Sequence, residues 1–394
     1  YQVNGPVNVN RLLSLQGRVD RPDLKYPAFN PSLSGALAPF GDLFAEIRSN
    51  DVLLHHPFDS FLPVIDFVRR AASDPKVLAI KQTLYRTGSQ SAVVDGLVEA
   101  ARAGKEVTVV VELRARFDEA DNIELANRLQ EAGAHVVYGV VGYKTHAKMT
   151  LIVRREADGL HNYVHMGTGN YHPKTARLYT DYGLLSCDGP LGNDVHEIFL
   201  QLTSLGKVSG LERIVDAPFR LHETIIEKIG REARAAAAGR KAWIVAKMNA
   251  LAEPGVIRAL YAASAAGVRI DLIVRGVCCL RPGVPGVSDN IRVRSIVGRF
   301  LEHARVFHFA ADGAPELYLS SADWMERNFF RRVEICFPVT SRPVYHRVER
   351  ELALYLADNS SAWLLGEDGR YTKARPTGDE PVVSVQKRLM RGPE

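Results

Sequence analysis

The hydrophobic pattern of the chain alternates between short apolar runs and longer segments with apolar residues at helical spacing. Between residues 77 and 113 the sequence reads VLAIKQTL, then SAVVDGLVEAARAG, then VTVVVEL. Continuous Val, Ile and Leu runs are typical of strands covered on both faces, and the intervening spacing is typical of an amphipathic helix. The pattern therefore predicts an α/β fold.

The same order of elements recurs in the second half of the chain. From residue 242 the runs AWIVAKM, PGVIRALYAASAAG and VRIDLIV follow one another, and the later strands of the two halves also correspond in order. Such self-similarity indicates duplication of one structural unit. We predict two homologous α/β domains that pack around a shared site. Their predicted bounds are 33–210 and 211–370, with 1–32 as the remnant of a preceding domain or linker and 371–394 as a loosely ordered tail.

Each half contains a histidine followed two residues later by a cation, at the start of an apolar strand. These pairs are His146 with Lys148 and His303 with Arg305. Residues i and i+2 of a strand point to the same face, so each histidine shares its face with its cation. A lone histidine is most often a packed core or surface residue. Two copies at equivalent positions favour catalysis, with one imidazole attacking phosphorus, the other transferring a proton and the cations holding phosphate oxygens.

Other candidate ligands for phosphate lie at the ends of predicted strands, where α/β sheets open onto their ligand crevice. Arginine at such a position is a bidentate phosphate clamp, and the candidates are Arg86, Arg114, Arg116 and Arg275. Asn170 ends a glycine-containing turn that would allow close approach of an anion. Tyr179 could stack on a base or simply pack, and the residues themselves leave both open.

Composition narrows the class of protein. The chain has 394 residues and a net charge of +5, from 50 Lys and Arg against 45 Asp and Glu, without a long basic run. This balance is typical of a soluble globular protein and does not indicate nucleic-acid binding. The four cysteines show no zinc spacing and no disulfide framework. No apolar stretch reaches the roughly 18 residues of a transmembrane helix.

Long motifs spread over residues 50–337 make the chain similar to a known family. The two half-sites of the form HxK or HxR resemble the phospholipase D superfamily. The narrower resemblance is to the bacterial polyphosphate kinases, and it rests on the motifs HHPFDSF, LYRTGSQS, ARFDEADNI, GYKTHAK, HMGTGNYHPKTARLYTDYGLL, SDNIRVRSIVGRFLEHARVF and SSADWMERN.

The resemblance implies a role for several residues. His146 would be the phosphorylated nucleophile and His303 the second active-site histidine, close to the nucleotide phosphates. Tyr179 and Arg275 match positions that contact ATP. Arg86 and Arg116 match positions associated with magnesium. Because a guanidinium has no lone pair for a metal, we expect these arginines to hold phosphate oxygens that bind Mg²⁺.

The implied reaction is reversible transfer of the ATP γ-phosphate to inorganic polyphosphate through a phosphohistidine, with ATP, ADP, polyphosphate and Mg²⁺ as ligands. Lys148, Arg305 and the other cations would neutralise the transferring group, and Asn170 would help to bind phosphate. The resemblance also implies amino-terminal domains beyond this chain and a homo-oligomer of the full-length protein. We expect a cytoplasmic location, with peripheral association at the inner membrane face left open.

Two alternatives belong to other classes of protein. A phospholipase D-like phosphodiesterase or nuclease would use the same histidines on a phosphodiester. The usual superfamily aspartate, five residues after the cation, is replaced here by Val153 and Ala310, which counts against this alternative. A non-catalytic fragment that only binds polyphosphate is the other.

Overall fold

The structure is a computed structural model that describes residues 4–5, 12, 14–33, 41–87, 91–112, 119–140, 142–204 and 210–392. The chain divides into two compact units, residues 1–30 and 31–394. The first unit contains helix α1 (Leu15–Arg18) and a 3-10 turn (Pro22–Leu24), and its described residues are almost all exposed. The second unit contains both sequence repeats.

The first repeat forms a mixed sheet flanked by helices. Its strands are β1 (Val52–His56), β2 (Val77–Leu84), β3 (Glu106–Val111), β4 (His135–Val137), β5 (Lys144–Thr145), β6 (Lys148–Glu156), β7 (Gly159–Gly167) and β8 (Tyr179–Ser186). Its helices are α2 (Leu43–Ser49), α3 (Leu62–Ser73), α4 (Ala92–Arg102), α5 (Glu119–Glu131) and α6 (Gly189–Ser204). The sheet order is β1-β8-β7-β6-β2-β3-β4, with β2, β3 and β4 parallel.

The second repeat builds the same arrangement again. Its strands are β9 (Val215–Ala217), β10 (Trp243–Met248), β11 (Arg269–Val274), β12 (Ile291–Ile296), β13 (Leu301–Glu302), β14 (Arg305–Phe309), β15 (Glu316–Ser320), β16 (Arg332–Pro338), β17 (Ala362–Leu365) and β18 (Tyr371–Lys373). Its helices are α7 (Leu221–Ala237), α8 (Pro254–Ala265), α9 (Glu326–Phe330), α10 (Arg342–Ala357) and α11 (Val385–Met390).

The strand pairing of the two repeats is equivalent. Strands β10, β11 and β12 are parallel like β2, β3 and β4, and β14, β15 and β16 form antiparallel hairpins like β6, β7 and β8. Buried residues of both repeats share one hydrophobic cluster, which includes Leu53, Val164, Val306 and Ile335. The predicted fold class, two homologous α/β halves around a shared centre, is confirmed.

Local sequence explains where these elements begin and why they are buried. Every residue of β3 from Val107 to Val111 is buried, as expected for a strand covered on both faces. Helix α8 begins at Pro254, whose missing N–H is not needed there, and the Glu253 carboxylate accepts hydrogen bonds from the next two free N–H groups. Among the described residues, we find no helix with the length and apolarity needed to cross a bilayer.

The two halves exchange a short strand with each other. Strand β5 of the first half pairs with β16 of the second, and β13 of the second half pairs with β8 of the first. Each exchanged strand ends directly before one of the two histidines that the sequence analysis selected. Because backbone hydrogen bonds fix both strands, the histidines are held at the boundary between the halves.

The carboxyl-terminal tail is ordered, contrary to the expectation from its composition. Strand β17 pairs with β12 at the edge of the second sheet, and β18 pairs with β17. Val385, the first residue of α11, is fully buried in the shared hydrophobic cluster. The Gln386 side chain donates to the Phe300 carbonyl (2.9 Å) and to Oε1 of Glu302 (2.7 Å). Long-range contacts, which a Pro- and Gly-rich composition does not reveal, order this segment.

We expect the substitution Gln386→Ala to lower the free energy of unfolding by about 1–3 kcal/mol, because it leaves buried polar groups of Phe300 and Glu302 without their partner. Denaturant unfolding measures the change. Val382→Ala is the matched control, since the Val382 side chain in the same segment is 66% exposed. Equal stability of the two variants would contradict an ordered, packed tail.

Candidate active site

The first histidine lies where strand β5 joins the sheet of the opposite half. The His146 backbone N–H donates to the Val333 carbonyl in β16 (2.9 Å). Its ring nitrogen Nδ1 lies 2.8 Å from Oε2 of Glu334, also in β16. The side chain that orients this histidine therefore comes from the other half of the chain.

The second histidine repeats this arrangement with the halves reversed. The His303 backbone N–H donates to Oγ1 of Thr180 (3.1 Å), and its Nδ1 lies 2.9 Å from both carboxylate oxygens of Asp181 in β8. Each histidine thus contacts a carboxylate of the opposite sheet, and the two half-sites form one pseudo-symmetric centre.

A hydroxyl group fixes each carboxylate in the same way. Oγ of Ser321 accepts from the Ile335 N–H (3.0 Å) and donates to Glu334 (2.5 Å). Oγ1 of Thr168 accepts from the Tyr182 N–H (3.0 Å) and donates to Asp181 (2.6 Å). Because an ionised carboxylate can only accept, each hydroxyl donates its proton to the carboxylate and accepts the backbone N–H on a lone pair.

These contacts determine the protonation of His146. Burial raises the pKa of the Glu334 carboxyl, and the charges of Lys148 and Arg332 oppose this rise. Asn328 donates to its second oxygen (2.7 Å), so a neutral His146 donates its Nδ1 proton to the ionised carboxylate. Burial lowers the pKa of the His146 imidazole well below its ordinary value, and the charges of Lys148 and Arg332 lower it further. The neutral ring then carries its lone pair on Nε2, which is the form of imidazole that attacks phosphorus.

The predicted cations lie beside their histidines. Nζ of Lys148 donates to the His146 carbonyl, and its ammonium lies 5.4 Å from the centre of the Tyr85 ring. Burial lowers the pKa of the Lys148 amine to about 7. Nη1 of Arg305 lies 3.1 Å from each ring nitrogen of His303. Each cation therefore contacts its own histidine.

Arg275 is connected to this centre through polar side chains. Its guanidinium donates to Oδ1 of Asn249, whose backbone N–H donates to Oδ1 of Asp323 (2.8 Å). Asp323 in turn accepts two hydrogen bonds from Arg305 (3.2 and 2.8 Å). Burial would raise the pKa of the Asp323 carboxyl, but Arg305 and His303 lower it to about 2, so it is ionised at neutral pH.

Of the remaining candidates, Tyr179 lies next to a histidine, whereas Arg86 is connected to one through another side chain. The Tyr179 ring lies 5.3 Å from the His303 ring. The Arg86 guanidinium lies 5.5 Å from the centre of the Tyr85 ring, which itself contacts His146 edge-on at 5.1 Å. Arg86 has a φ of 53°, which is uncommon for a residue with a side chain and is typical of constrained functional positions.

Asn170 lies in the wall of a small cavity that Asp181 also lines. Its Oδ1 is buried and, within the part of the chain that the structure describes, accepts no hydrogen bond. Arg114 and Arg116 lie outside the described residues.

The sequence analysis assigned no catalytic role to the two carboxylates that orient the histidines. Asp181 and Glu334 occupy equivalent positions in β8 and β16, the third strand of the antiparallel set in each repeat, within TDYGLL and RVEICF. The recurrence of a carboxylate inside a mostly apolar strand of both repeats is the sequence feature that could have indicated their role. Their partners could not be read from the sequence, because each carboxylate contacts the histidine of the opposite repeat.

A direct magnesium site made only of protein ligands is not present among the described residues, where no three His, Cys, Asp or Glu side chains converge. Asp181 and Glu334 already bind histidines, and the arginines offer no lone pair to a metal.

The chain is similar over nearly its whole length to curated polyphosphate kinases. It is 57% identical over 390 residues to "Polyphosphate kinase" of Pseudomonas aeruginosa, which covers 99% of this chain and 56% of that protein. It is 58% identical over 391 residues to "Polyphosphate kinase" of Xylella fastidiosa, with the same coverage of both. The chain therefore spans a little more than half the length of these relatives.

A solved structure and two family descriptions agree with these relatives. The crystal structure of polyphosphate kinase from Porphyromonas gingivalis matches with a TM-score of 0.88 at 34% identity, over 95% of this chain and 58% of that one. The family descriptions "Polyphosphate kinase C-terminal domain 1" and "Polyphosphate kinase C-terminal domain 2" match residues 42–208 and 214–386. By sequence, fold and the order of its two repeats, the chain belongs to the polyphosphate kinase family.

Proposed function

We propose that this chain carries the phosphoryl-transfer site of a polyphosphate kinase and that His146 is its nucleophile. The observation that supports this proposal most is the contact of the buried His146 ring, whose Nδ1 lies 2.8 Å from Oε2 of Glu334 where burial lowers the pKa of the imidazole. With its lone pair on Nε2 and with Lys148 and Arg305 close by, the ring can accept a phosphoryl group while the cations balance its charge.

The proposed reaction has two half-reactions through one covalent intermediate. In the first, Nε2 of His146 forms a bond to the γ-phosphorus of ATP, the bond from that phosphorus to the bridging oxygen breaks, and ADP leaves with the electron pair. In the second, a terminal oxygen of polyphosphate bonds to the same phosphorus and the P–N bond breaks. The chain grows by one phosphate, and the reverse sequence makes ATP.

Each half of the chain has a separate task in this scheme. Glu334 is a positioning residue that holds the His146 tautomer, and Asp181 does the same for His303. His303 lies beside Arg305 and would donate or accept a proton on the transferring group. Asp323 fixes the Arg305 guanidinium through two hydrogen bonds, so this cation is already oriented before a substrate binds.

The magnesium ion would bind together with the nucleotide, on its phosphates. When bound to the phosphates it would neutralise charge on the transferring group. Arg86 is the described residue that we propose to hold the phosphate oxygens near such an ion, and Arg116 keeps this role as a prediction. A cytoplasmic location and a homo-oligomer of the full-length protein also remain predictions.

We expect the chain to become labelled by ATP carrying a labelled γ-phosphate in the presence of Mg²⁺, with the acid-labile and base-stable behaviour of a phosphohistidine. His146→Ala should abolish the label, because it removes the nucleophile, whereas His303→Ala should slow labelling without moving it to another residue. The exposed His346, which pairs with Glu349 on α10, offers the control His346→Ala, with labelling as in the parent.

Label that persists in His146→Ala would refute the assignment of the nucleophile. Absence of label in the parent chain, together with hydrolysis of a chromogenic phosphodiester without nucleotide, would instead favour a phosphodiesterase. If the parent chain shows neither reaction, repeating the assay on the full-length protein distinguishes a need for further domains from a wrong proposal.

Lys148 leads to a prediction about pH. Its folded pKa of about 7 lies below the unfolded value of about 10.4, so between these values the unfolded chain binds more protons and stability rises with pH. Below about pH 7, the pKa of Lys148 in the folded chain, the amine is charged in both states and the full free-energy cost of burying the ammonium lowers stability. We therefore expect Lys148→Met to raise the free energy of unfolding more at about pH 6 than at about pH 9.

Urea unfolding at the two pH values measures this difference. Lys241→Met, at an exposed lysine on the surface, is the control and should show little change at either pH. A gain for Lys148→Met that does not depend on pH would mean that the ammonium is not penalised by burial.

A further inference from the structure

A buried network of charged and polar side chains lies behind one of the two half-sites. The Glu351 side chain of α10, in the second half of the chain, contacts strands β1 and β8 of the first half. Its Oε2 accepts from the Tyr182 hydroxyl (2.5 Å) and lies 2.8 Å from Nδ1 of His55, and its Oε1 accepts from Nε of Arg347 (3.0 Å). Glu351, His55 and Tyr182 are all buried. A buried carboxylate with three such contacts is held in one orientation.

The network closes on itself through Asp59. Nη2 of Arg347 donates to Oδ2 of Asp59 (2.6 Å), which also accepts the backbone N–H of His55 (2.7 Å). Burial would raise the pKa of the Glu351 carboxyl, but His55 and Arg347 lower it to about 2. Glu351 is therefore ionised at neutral pH and acts as an acceptor for the Tyr182 hydroxyl.

Tyr182 connects this network with the half-site of His303. Its ring stacks on the His55 ring at a distance of 4.1 Å between the ring centres, and its hydroxyl is held by the network. Its backbone N–H donates to Oγ1 of Thr168 (3.0 Å), whose own proton goes to Asp181 (2.6 Å). The contacts of the Tyr182 side chain thus fix the backbone that positions Thr168.

The opposite half-site is supported in a different way. Ile335 occupies the position equivalent to Tyr182, because its N–H donates to the hydroxyl group of this half-site (3.0 Å). The side chain of Ile335 has no polar group, so no comparable network can form behind it. Here the carboxylate is fixed directly, because Asn328 donates to Oε1 of Glu334 (2.7 Å).

Asp181 has no counterpart of this amide donor. In the part of the chain that the structure describes, its carboxylate contacts the side chains of Thr168 and His303 and accepts from no third side chain. The orientation of Asp181 therefore depends on Thr168, which in turn depends on the position of the Tyr182 backbone. The network behind Tyr182 supplies indirectly the support that an amide supplies directly in the other half-site.

We propose that Glu351 and Tyr182 are positioning residues for His303. The support runs from α10 of the second half through Thr168 and Asp181 of the first half and returns to the second half at the histidine. This inference rests on the proposed function and adds to it residues that act on one of the two histidines. Loss of the network should impair the steps in which His303 takes part and leave the orientation of the other histidine unchanged.

The variant Tyr182→Phe tests this assignment, because it removes the hydroxyl that binds Glu351 and keeps the ring that packs on His55. Single-turnover labelling of the full-length protein with γ-labelled ATP gives the rate constant and the final amount of phosphoenzyme separately. We expect the rate constant at saturating ATP to fall about fivefold or more, since one buried hydrogen bond corresponds to roughly that factor. The final amount of label and the ATP concentration that gives half the maximal rate should change less than about twofold.

The matched control is Tyr163→Phe in β7. Tyr163 is fully buried in the same half and its hydroxyl donates to Oε1 of Glu156 (2.8 Å), so this change also removes a Tyr–Glu hydrogen bond. It should label at the rate of the parent. Glu351→Gln is a second variant that keeps the shape of the side chain, and it should slow labelling as Tyr182→Phe does. Combining these two changes should slow labelling further by less than about twofold, because both break the same connection.

Two more measurements separate positioning from general damage to the centre. In the His303→Ala background, Tyr182→Phe should change the labelling rate less than about twofold, since its effect passes through a histidine that is no longer present. In protein with isotope-labelled histidine, Tyr182→Phe should shift the imidazole NMR signals of His303, which are identified by their absence in His303→Ala. The signals of His146 should stay in place. This readout needs no turnover.

Three outcomes would overturn the proposal. Tyr182→Phe could label at the rate of the parent, which would leave the network with a role in folding only. Its effect could multiply fully with that of His303→Ala, which would mean that Tyr182 acts elsewhere. The signals of both histidines could shift alike, which would indicate a general distortion of the centre. Absence of a phosphoenzyme in the full-length parent would refute the proposed function instead, and the histidine signals would still test the network.

Discussion

The pairing of each histidine with a carboxylate of the opposite half is the interaction on which the centre depends. A buried imidazole needs a partner for its N–H, and a buried carboxylate needs donors. The contacts of His146 with Glu334 and of His303 with Asp181 meet both needs at once. Since neither half supplies both members of a pair, this histidine–carboxylate geometry exists only when the two halves are packed together.

The exchanged strands provide the rigidity that this pairing requires. Strands β5 and β13 each add to the sheet of the other half, and the shared hydrophobic cluster fills the space between the sheets. The ordered tail strengthens the same region, because Gln386 binds Glu302, the residue before His303. Glu302 also contacts the buried ammonium of Lys247 at 2.8 Å. Polar groups at this boundary therefore have partners from three separate parts of the chain.

Duplication of one α/β unit explains why the centre has two histidine half-sites, and the residues beside these half-sites differ. The set of hydroxyl, carboxylate and histidine occurs twice. Thr168 and Asp181 of the first half meet His303 of the second, and Ser321 and Glu334 of the second half meet His146 of the first. A Lys144–Arg332 pair lies next to one histidine and a Leu301–Tyr179 pair next to the other, so the two half-sites differ in charge and polarity.

The sequence by itself determined the α/β class, the duplication and the two histidine–cation pairs, because these depend on local periodicity and on the recurrence of a pattern. It also indicated Arg275 through its position at a strand end and through family resemblance, and Tyr179 through family resemblance alone. Only the tertiary structure decided that Glu334 and Asp181 orient the histidines, that the tail is packed and that Lys144 lies opposite Arg332 beside the His146 half-site. Each of these features joins residues that are far apart in the chain, up to 188 positions for His146 and Glu334. Hydrophobic periodicity records which face of an element is buried, but it does not record which distant side chain will meet that face.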